Sequence, residues 1–382
     1  MTIAVAGQGV SKLGWARLRI HEPQTDGHPT HCCPAPTFSA LNERHAMTAT
    51  TTTTFQAIVQ DTYGEDVFRL TQIGTPEIAD NEVLIRVHAA GMDRGTWHMM
   101  AGRPYLLRVM GFGLRRPKNR IPGLDVAGTV AAVGASVTRF AIGDEVFGIA
   151  KGSFAEYAAA LEDKLARKPS NLSFAQAATV PISGLTALQA LRDAGQLESG
   201  QHVLIIGASG GVGSYAVQLA KAFGAQVTGV GSTKKLDLVR ALGADYVIDY
   251  TQQDFAARIT RYDLILDIGG NSALSRLRRV LTPTGTAVII GGEEGGKFTG
   301  GFGRSLRAAA MTRFLKGQRL TMFANKENAD DLQPLTELIE AGRVIPSIDA
   351  TYPLGKARQA MRHLQDGTVR GKIAISVIPD AA

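Results

Sequence analysis

The chain has 382 residues, 45% of them hydrophobic and 20% charged, with a mean hydropathy of +0.01. That composition belongs to a soluble globular protein; it excludes a disordered, collagenous or polytopic membrane chain, and the length suggests two or three domains. The 41 basic and 34 acidic residues leave a net charge of +7, spread too thinly to demand nucleic acid and equally suited to an anionic cofactor.

Residues 1–54 read differently from the rest. They mix single apolar residues with HEPQTDGHPTHCCPAPT and end in a threonine run, so a disordered N-terminal extension is expected. Met47 stands just before the first strand-like run, Phe55–Gln60, and we read it as the physiological start, with 1–46 an upstream translation artefact. A transit peptide is the rival, but Glu22, Asp26 and Glu43 nearly balance Arg17, Arg19 and Arg44. The only cysteines, Cys32 and Cys33, lie in this stretch. A disulfide framework or a thiolate metal site in the body is therefore excluded. No apolar run is long enough to span a bilayer and the N-terminus lacks a signal-peptide pattern, so a cytoplasmic location is expected.

From Phe55 to about Pro169 the signals are short and β-like: EVLIRVHAAG, DVAGTVAAVG, GDEVFGI and SFAEYAAA, set between Gly and Asp turns. A β-rich, barrel-like domain over 55–172 is expected. Ser173 reads as the N-cap of a helical stretch, SFAQAATVPISGLTALQAL. Strands and helices then alternate through 173–317, predicting βαβ units and a doubly wound parallel sheet. Residues 318–380 end in the pair GKARQAMRHL and KIAISVI. This last strand has the texture of the first domain and is expected to rejoin it, making the parallel-sheet region an insertion.

The segment HVLIIGASGGVGSYAVQLAKAFGAQV carries the most chemistry. A buried strand runs into Gly207, Ser209, Gly210, Gly211, Val212 and Gly213 and then a helix. Glycines there admit a pyrophosphate to backbone N–H groups at the helix N-terminus. An NAD-selecting site places an acid at the end of the next strand, but here that position is Gly231. Ser232 and Lys235 follow it, and Tyr250 closes the strand after; the three offer donors for a 2′-phosphate, so the expected cofactor is NADPH.

These segments, with PGLDVAGTVAAVG, GDEVFG, AATVPISGLTALQAL, LGADYVIDY and GKIAISV, resemble the medium-chain dehydrogenase/reductase superfamily, in its zinc-lacking quinone oxidoreductase branch, over about Phe55–Val377. The resemblance implies an α/β protein with a GroES-like catalytic domain, a Rossmann-type cofactor domain, substrate in the cleft between them, and a homodimer formed through the cofactor domains. Zinc-branch members carry a Cys ligand where this chain has Asp93, a His where it has Leu124, and a further Cys within Val180–Ser183, where none occurs. Leucine cannot bind zinc, and Asp93 with Asp125 makes a poor site for it; no metal is expected.

Metal-free hydride transfer suits quinones and α,β-unsaturated carbonyls, whose developing charge is delocalised. Candidate catalytic residues are Asp93, Thr96 and His98 beside Trp97, and Thr186 in GLTA. Asp93 replaces an asparagine of the quinone reductase branch and is suited to a ribose hydroxyl; His98 is suited to a proton relay or to a structural role; Thr186 matches a residue beside the nicotinamide in relatives, or is an ordinary core threonine of its helix. Asp125 is expected to order a loop. The basic loop Gly111–Arg120 reads as a solvated surface loop, with attraction of an anionic ligand at the cleft mouth as the alternative, to which Arg304, Arg307 and Arg313 would contribute from the other side. No nucleic-acid or membrane partner is expected. Reversible alcohol or aldehyde oxidoreduction, and a cofactor-binding redox sensor or structural protein with little turnover, stay open as alternatives.

Overall fold

The computed structural model describes residues 54–269, 272–291 and 296–378; the expectations for residues 1–53 lie outside them. The strands are β1 (Thr54–Val59), β2 (Arg69–Gly74), β3 (Glu82–Met92), β4 (Asp125–Val133), β5 (Glu145–Ile149), β6 (Tyr157–Leu161), β7 (Leu165–Arg167), β8 (His202–Ile206), β9 (Gln226–Gly231), β10 (Tyr246–Asp249), β11 (Tyr262–Asp267), β12 (Leu281–Ile289), β13 (Arg319–Met322), β14 (Ile348–Pro353) and β15 (Lys372–Ser376). The helices are α1 (Arg94–Ala101), α2 (Tyr105–Leu107), α3 (Phe174–Ala177), α4 (Pro181–Gln189), α5 (Gly211–Ala222), α6 (Leu236–Ala241), α7 (Leu274–Val280), α8 (Phe302–Thr312), α9 (Leu332–Glu340) and α10 (Ala357–Gln365).

Seven strands build the first large sheet, in the order β14-β15-β3-β4-β5-β7 with β6 also on β3. Its centre is β3, whose Val83, Ile85 and Val87 alternate onto a core with Val126, Val130, Val146 and Leu165, as period-2 patterning requires. One edge of β3 is shared: Glu82–Arg86 pair with β6, whereas Ala89–Met92 pair with β15. The C-terminal strand thus completes the sheet begun three hundred residues earlier, as its texture suggests.

The second sheet is parallel, in the order β10-β9-β8-β11-β12-β13. Val203–Ile206 of β8 are buried on both faces, as helix-covered parallel strands must be. The order reverses between β8 and β11, and the crevice beyond the carboxyl ends of those strands is where such sheets take ligands. Both expected architectures, a β-rich domain and a doubly wound parallel sheet, are present. The parallel sheet does not stop at residue 317, however. Arg319–Met322 adds a sixth strand beside β12, too short and mixed in composition to read as a strand from sequence.

The helical stretch after Ser173 is also broken. Ser173 caps α3 through a reciprocal pair with Gln176, but Pro181 opens a separate helix, α4. Proline supplies no N–H to continue α3 and suits the first turn of a new helix. Helix α4 then packs Leu185 and Leu188 in one core with Tyr215 and Leu219 of α5 and Leu335 of α9.

Two glycines of the β8–α5 turn have different duties. A Cβ on Gly213 would lie inside contact distance of the Gly207 carbonyl oxygen, whereas one on Gly210 meets nothing closer than that oxygen at 3.5 Å. Gly213→Ala is therefore expected to lower stability by about 1–3 kcal/mol. Gly210→Ala is expected to leave urea-unfolding midpoints unchanged while weakening dinucleotide binding; equal midpoints for both variants would refute the distinction.

Candidate functional site: a cleft at the parallel-sheet switch point

A cleft of about 420 Å³ opens beyond β8, β9 and β11. It gathers Gly207, Ser209, Gly210, Gly211, Val212, Ser232, Lys235 and Tyr250 on one wall with Asp93 and His98 on the other. A separate depression of about 360 Å³, around Phe68 and Arg358, holds none of the predicted residues.

The first wall is built for an anion. Gly207 turns the chain at φ 90°, and the Gly207 and Ala208 amides donate to Val230 O, fixing the turn on β9. Gly210 is the N-cap of α5 and supplies no side-chain cap. The first-turn amides of Gly211, Val212 and Gly213 thus have no acceptor within the helix, and the positive end of the helix dipole faces the cleft. A dinucleotide pyrophosphate fits these residues. Gly213 itself lies outside the cleft lining; its part is the close approach of α5 to β8.

Gly231, Ser232, Lys235 and Tyr250 line the neighbouring part, with Tyr250 63% exposed. Lys235 is not a free cation. Its Nζ donates to Gly367 O (2.7 Å) and Val369 O (2.8 Å) in the turn after α10, and burial lowers its pKa below the ordinary lysine value. Two of three ammonium hydrogens are thus engaged, leaving one for a ligand. Arg370 answers from the same turn, donating to Lys234 O and Asp237 Oδ2 at 2.7 Å each. These contacts clasp the 367–370 turn to the wall that carries Lys235.

On the opposite wall Asp93 caps α1, its Oδ1 accepting from Thr96 N (2.9 Å) and Thr96 Oγ1 (3.2 Å). Thr96 is therefore buried behind Asp93 and does not line the cleft. His98 does line it, with Nδ1 2.7 Å from Arg103 O. A carbonyl only accepts, so Nδ1 carries the proton and Nε2 of the neutral ring is an acceptor. Thr186 is buried, donates to Ile182 O at 2.7 Å and lies outside the lining. It satisfies its own helix and is a core threonine here.

The sequence reading missed the residue at the centre of this wall. Lys372 is 1% exposed. Its Nζ donates to Asp125 Oδ2 at 3.1 Å and Ser183 Oγ at 3.0 Å and stands 3.9 Å from Asp93 Oδ2. Asp125 does not order a loop; it is buried in β4, and its Oδ1 accepts from Ile182 N at the start of α4 (2.9 Å). Burial, opposed by Lys372 and reinforced by Asp93, pushes the Asp125 carboxyl up to about 6. A Cβ on Gly211 would come within 3.1 Å of the Lys372 stem, so the missing side chain admits the lysine beside the start of α5. The available signal was a single Lys heading the apolar run KIAISVI, a residue almost never buried unless paired.

Two candidate contributions to the cleft are absent from its lining. None of Gly111–Arg120 reaches it, and Arg304 turns inward to pair with Asp267 and Ser272 O. Among the described residues no three His, Cys, Asp or Glu side chains are placed to share a metal ion.

Two family models match the chain: an alcohol dehydrogenase GroES-like domain over residues 79–170 and a zinc-binding dehydrogenase over residues 242–375. The chain is 34% identical over 333 residues to a 2-methylene-furan-3-one reductase of Solanum lycopersicum, covering 83% of this chain and 78% of that one. It is equally 34% identical to an NADPH-dependent alkenal/one oxidoreductase, chloroplastic, of Arabidopsis thaliana, covering 84% and 79%. The solved quinone oxidoreductase of Coxiella burnetii superposes with a TM-score of 0.76 at 31% identity, over 85% of this chain and 100% of that one. With the switch-point cleft, the uncapped glycine turn and relatives at this identity over most of its length, the chain belongs to the medium-chain dehydrogenase/reductase superfamily, in its quinone oxidoreductase branch, and is an NAD(P)-binding oxidoreductase.

Proposed function

We propose that the chain is an NADPH-dependent, zinc-independent reductase of quinones or α,β-unsaturated carbonyl compounds, acting as a cytoplasmic homodimer. The observation that carries the metal-free reading is the Lys372 ammonium. It lies among Asp93, Asp125 and Ser183, in the three segments where the zinc branch has its ligands. An ammonium already occupies the place between those carboxylates, and a second cation beside it is electrostatically opposed. The names of the two plant relatives, a furanone reductase and an alkenal/one oxidoreductase, support the acceptor class.

The nicotinamide supplies the hydride. The protein's own part is placement: the α5 amides take the pyrophosphate, and Ser232, the third Lys235 hydrogen and Tyr250 meet the 2′-phosphate. Asp93, held by Thr96, offers Oδ2 to a ribose hydroxyl. Such fixed geometry supplies much of the rate in reactions that need no strong acid or base. The proton that completes the reduction comes from water or a cleft hydroxyl, and His98 Nε2, an acceptor on the neutral ring, takes a hydrogen bond from that donor. β13, where Met322 is 44% exposed, is one of two free edges of the parallel sheet and the one we assign to a second copy.

NADPH oxidation with an ortho-quinone and an enone, run side by side under chelator, tests the reading directly. Turnover is expected to survive chelation. Loss of turnover on chelation would overturn the metal-free assignment, and tight NADPH binding without turnover on either acceptor would favour a redox sensor.

Lys235→Ala is expected to raise the KM for NADPH about 10–100-fold, the range of a hydrogen bond to a charged group. NADH should suffer only the smaller loss from releasing the 367–370 turn; equal losses would overturn the 2′-phosphate assignment.

The buried pair is expected to be strongly coupled. Lys372→Met or Asp125→Asn alone should cost about 3–5 kcal/mol of unfolding free energy, and the double variant less than the sum. The folded Asp125 carboxyl binds its proton more tightly than the unfolded one. Its contribution to stability therefore rises as pH falls from about 6 towards 4, and Asp125→Asn should remove that component of the pH profile. Additive single variants or an unchanged profile would contradict the coupling.

A further inference from the structure

Two stretches of the chain contain no carboxylate. Residues 94–124 hold seven cations and residues 296–323 hold six, so together they carry thirteen of the 41 basic residues and none of the 34 acidic ones. The remainder of the chain is net acidic. The fold joins the two stretches: Tyr105 N donates to Lys297 O (2.9 Å) and Leu106 N to Phe298 O (3.0 Å). The Tyr105 and Phe298 rings meet edge to face at 5.4 Å, and Pro104 lies against Gly300.

Several of these cations are engaged within the protein: Arg108 with Gly102 O, Arg120 with Asp61 and Arg304 with Asp267. Arg115, Arg116, Lys118 and Lys297 are exposed, and among the described residues none of them meets a carboxylate. Beside them stand large apolar side chains that the core does not use. Val109 is 73% exposed, Leu114 67%, Phe298 74% and Phe112 40%. The turn bearing them is held firmly, since Tyr63 Oη donates to both Phe112 O and Gly113 O and Lys118 N donates to Phe112 O.

We propose that this face docks on the surface of an anionic membrane. Val109, Phe112, Leu114 and Phe298 enter the headgroup region while Arg115, Arg116, Lys118 and Lys297 pair with lipid phosphates. Charge selects the occupant. A second copy presenting the same face would bring like charges together, and exposed Val and Leu side chains serve no purpose on a nucleic-acid backbone. Apolar tips ringed by cations match the boundary between headgroups and acyl chains. No helix of the described residues is long and apolar enough to cross a membrane, so the attachment is peripheral. This departs from the expectation of no membrane partner, which rested on the lack of a spanning run. It does not depend on the reading of the cleft.

The test is co-sedimentation of the full chain with vesicles of phosphatidylcholine alone and of phosphatidylcholine doped with phosphatidylglycerol. Binding is expected only to the doped vesicles. The double variant R115Q/R116Q should lower the partition coefficient about thirtyfold. The triple variant V109S/F112S/L114S, whose charge is unchanged, should lower it roughly tenfold or more. Melting temperature and the circular dichroism spectrum report that both variants remain folded. Absence of binding to doped vesicles, or full binding by the serine variant, would overturn the proposal. Capture by duplex DNA at lower protein concentration than by doped vesicles would instead assign the face to nucleic acid.

Discussion

One buried ion pair organises the functional half of this molecule. Lys372 opens the last strand of the β-rich sheet, Asp125 opens β4, Ser183 lies in the first turn of α4, and Asp93 caps α1. These residues are spread over most of the chain and share one ammonium group. Placing two carboxylates and an ammonium away from water is costly, so their positions must satisfy one another closely. Asp125 meets this demand twice, binding Lys372 through one oxygen and the Ile182 amide of α4 through the other. The β-rich sheet and the helix that packs on α5 are thereby held at the same carboxylate.

That constraint sets the character of the cleft. One wall offers uncapped amides and the positive end of α5; the other offers two carboxylates grouped around a single lysine. An anionic dinucleotide is drawn to the first wall. The second wall has its cation already committed to Asp125 and Ser183. At the far end of the cleft Lys235 donates to Gly367 O and Val369 O while Arg370 donates to Lys234 O, so the turn after α10 is clasped to the wall that carries Lys235.

The surface shows the same economy at longer range. The segment after α1 and the segment leading into α8 are each basic, and backbone hydrogen bonds between 105–106 and 297–298 merge them. A net charge of +7 read along the chain looks dilute; folded, two basic stretches meet, and four large apolar side chains stand exposed among their cations.

Much of this was legible in the chain itself. The period-2 runs around β3 and β4, the βαβ rhythm after residue 200, the Ser173 cap and the glycine turn before α5 are local signals, and local sterics and hydrogen bonding enforce them. The absence of an acid at Gly231 and of a histidine at Leu124 is likewise a property of single positions. What the tertiary structure alone decided are relations between distant residues. That Lys372 is a buried partner of Asp125, that Thr186 and Thr96 face away from the cleft, that Lys235 is half engaged by the 367–370 turn, and that Arg304 serves Asp267 are outcomes of packing. A side chain's partner depends on which strands the sheets bring together, and no spacing along the chain encodes that when the partners are hundreds of residues apart.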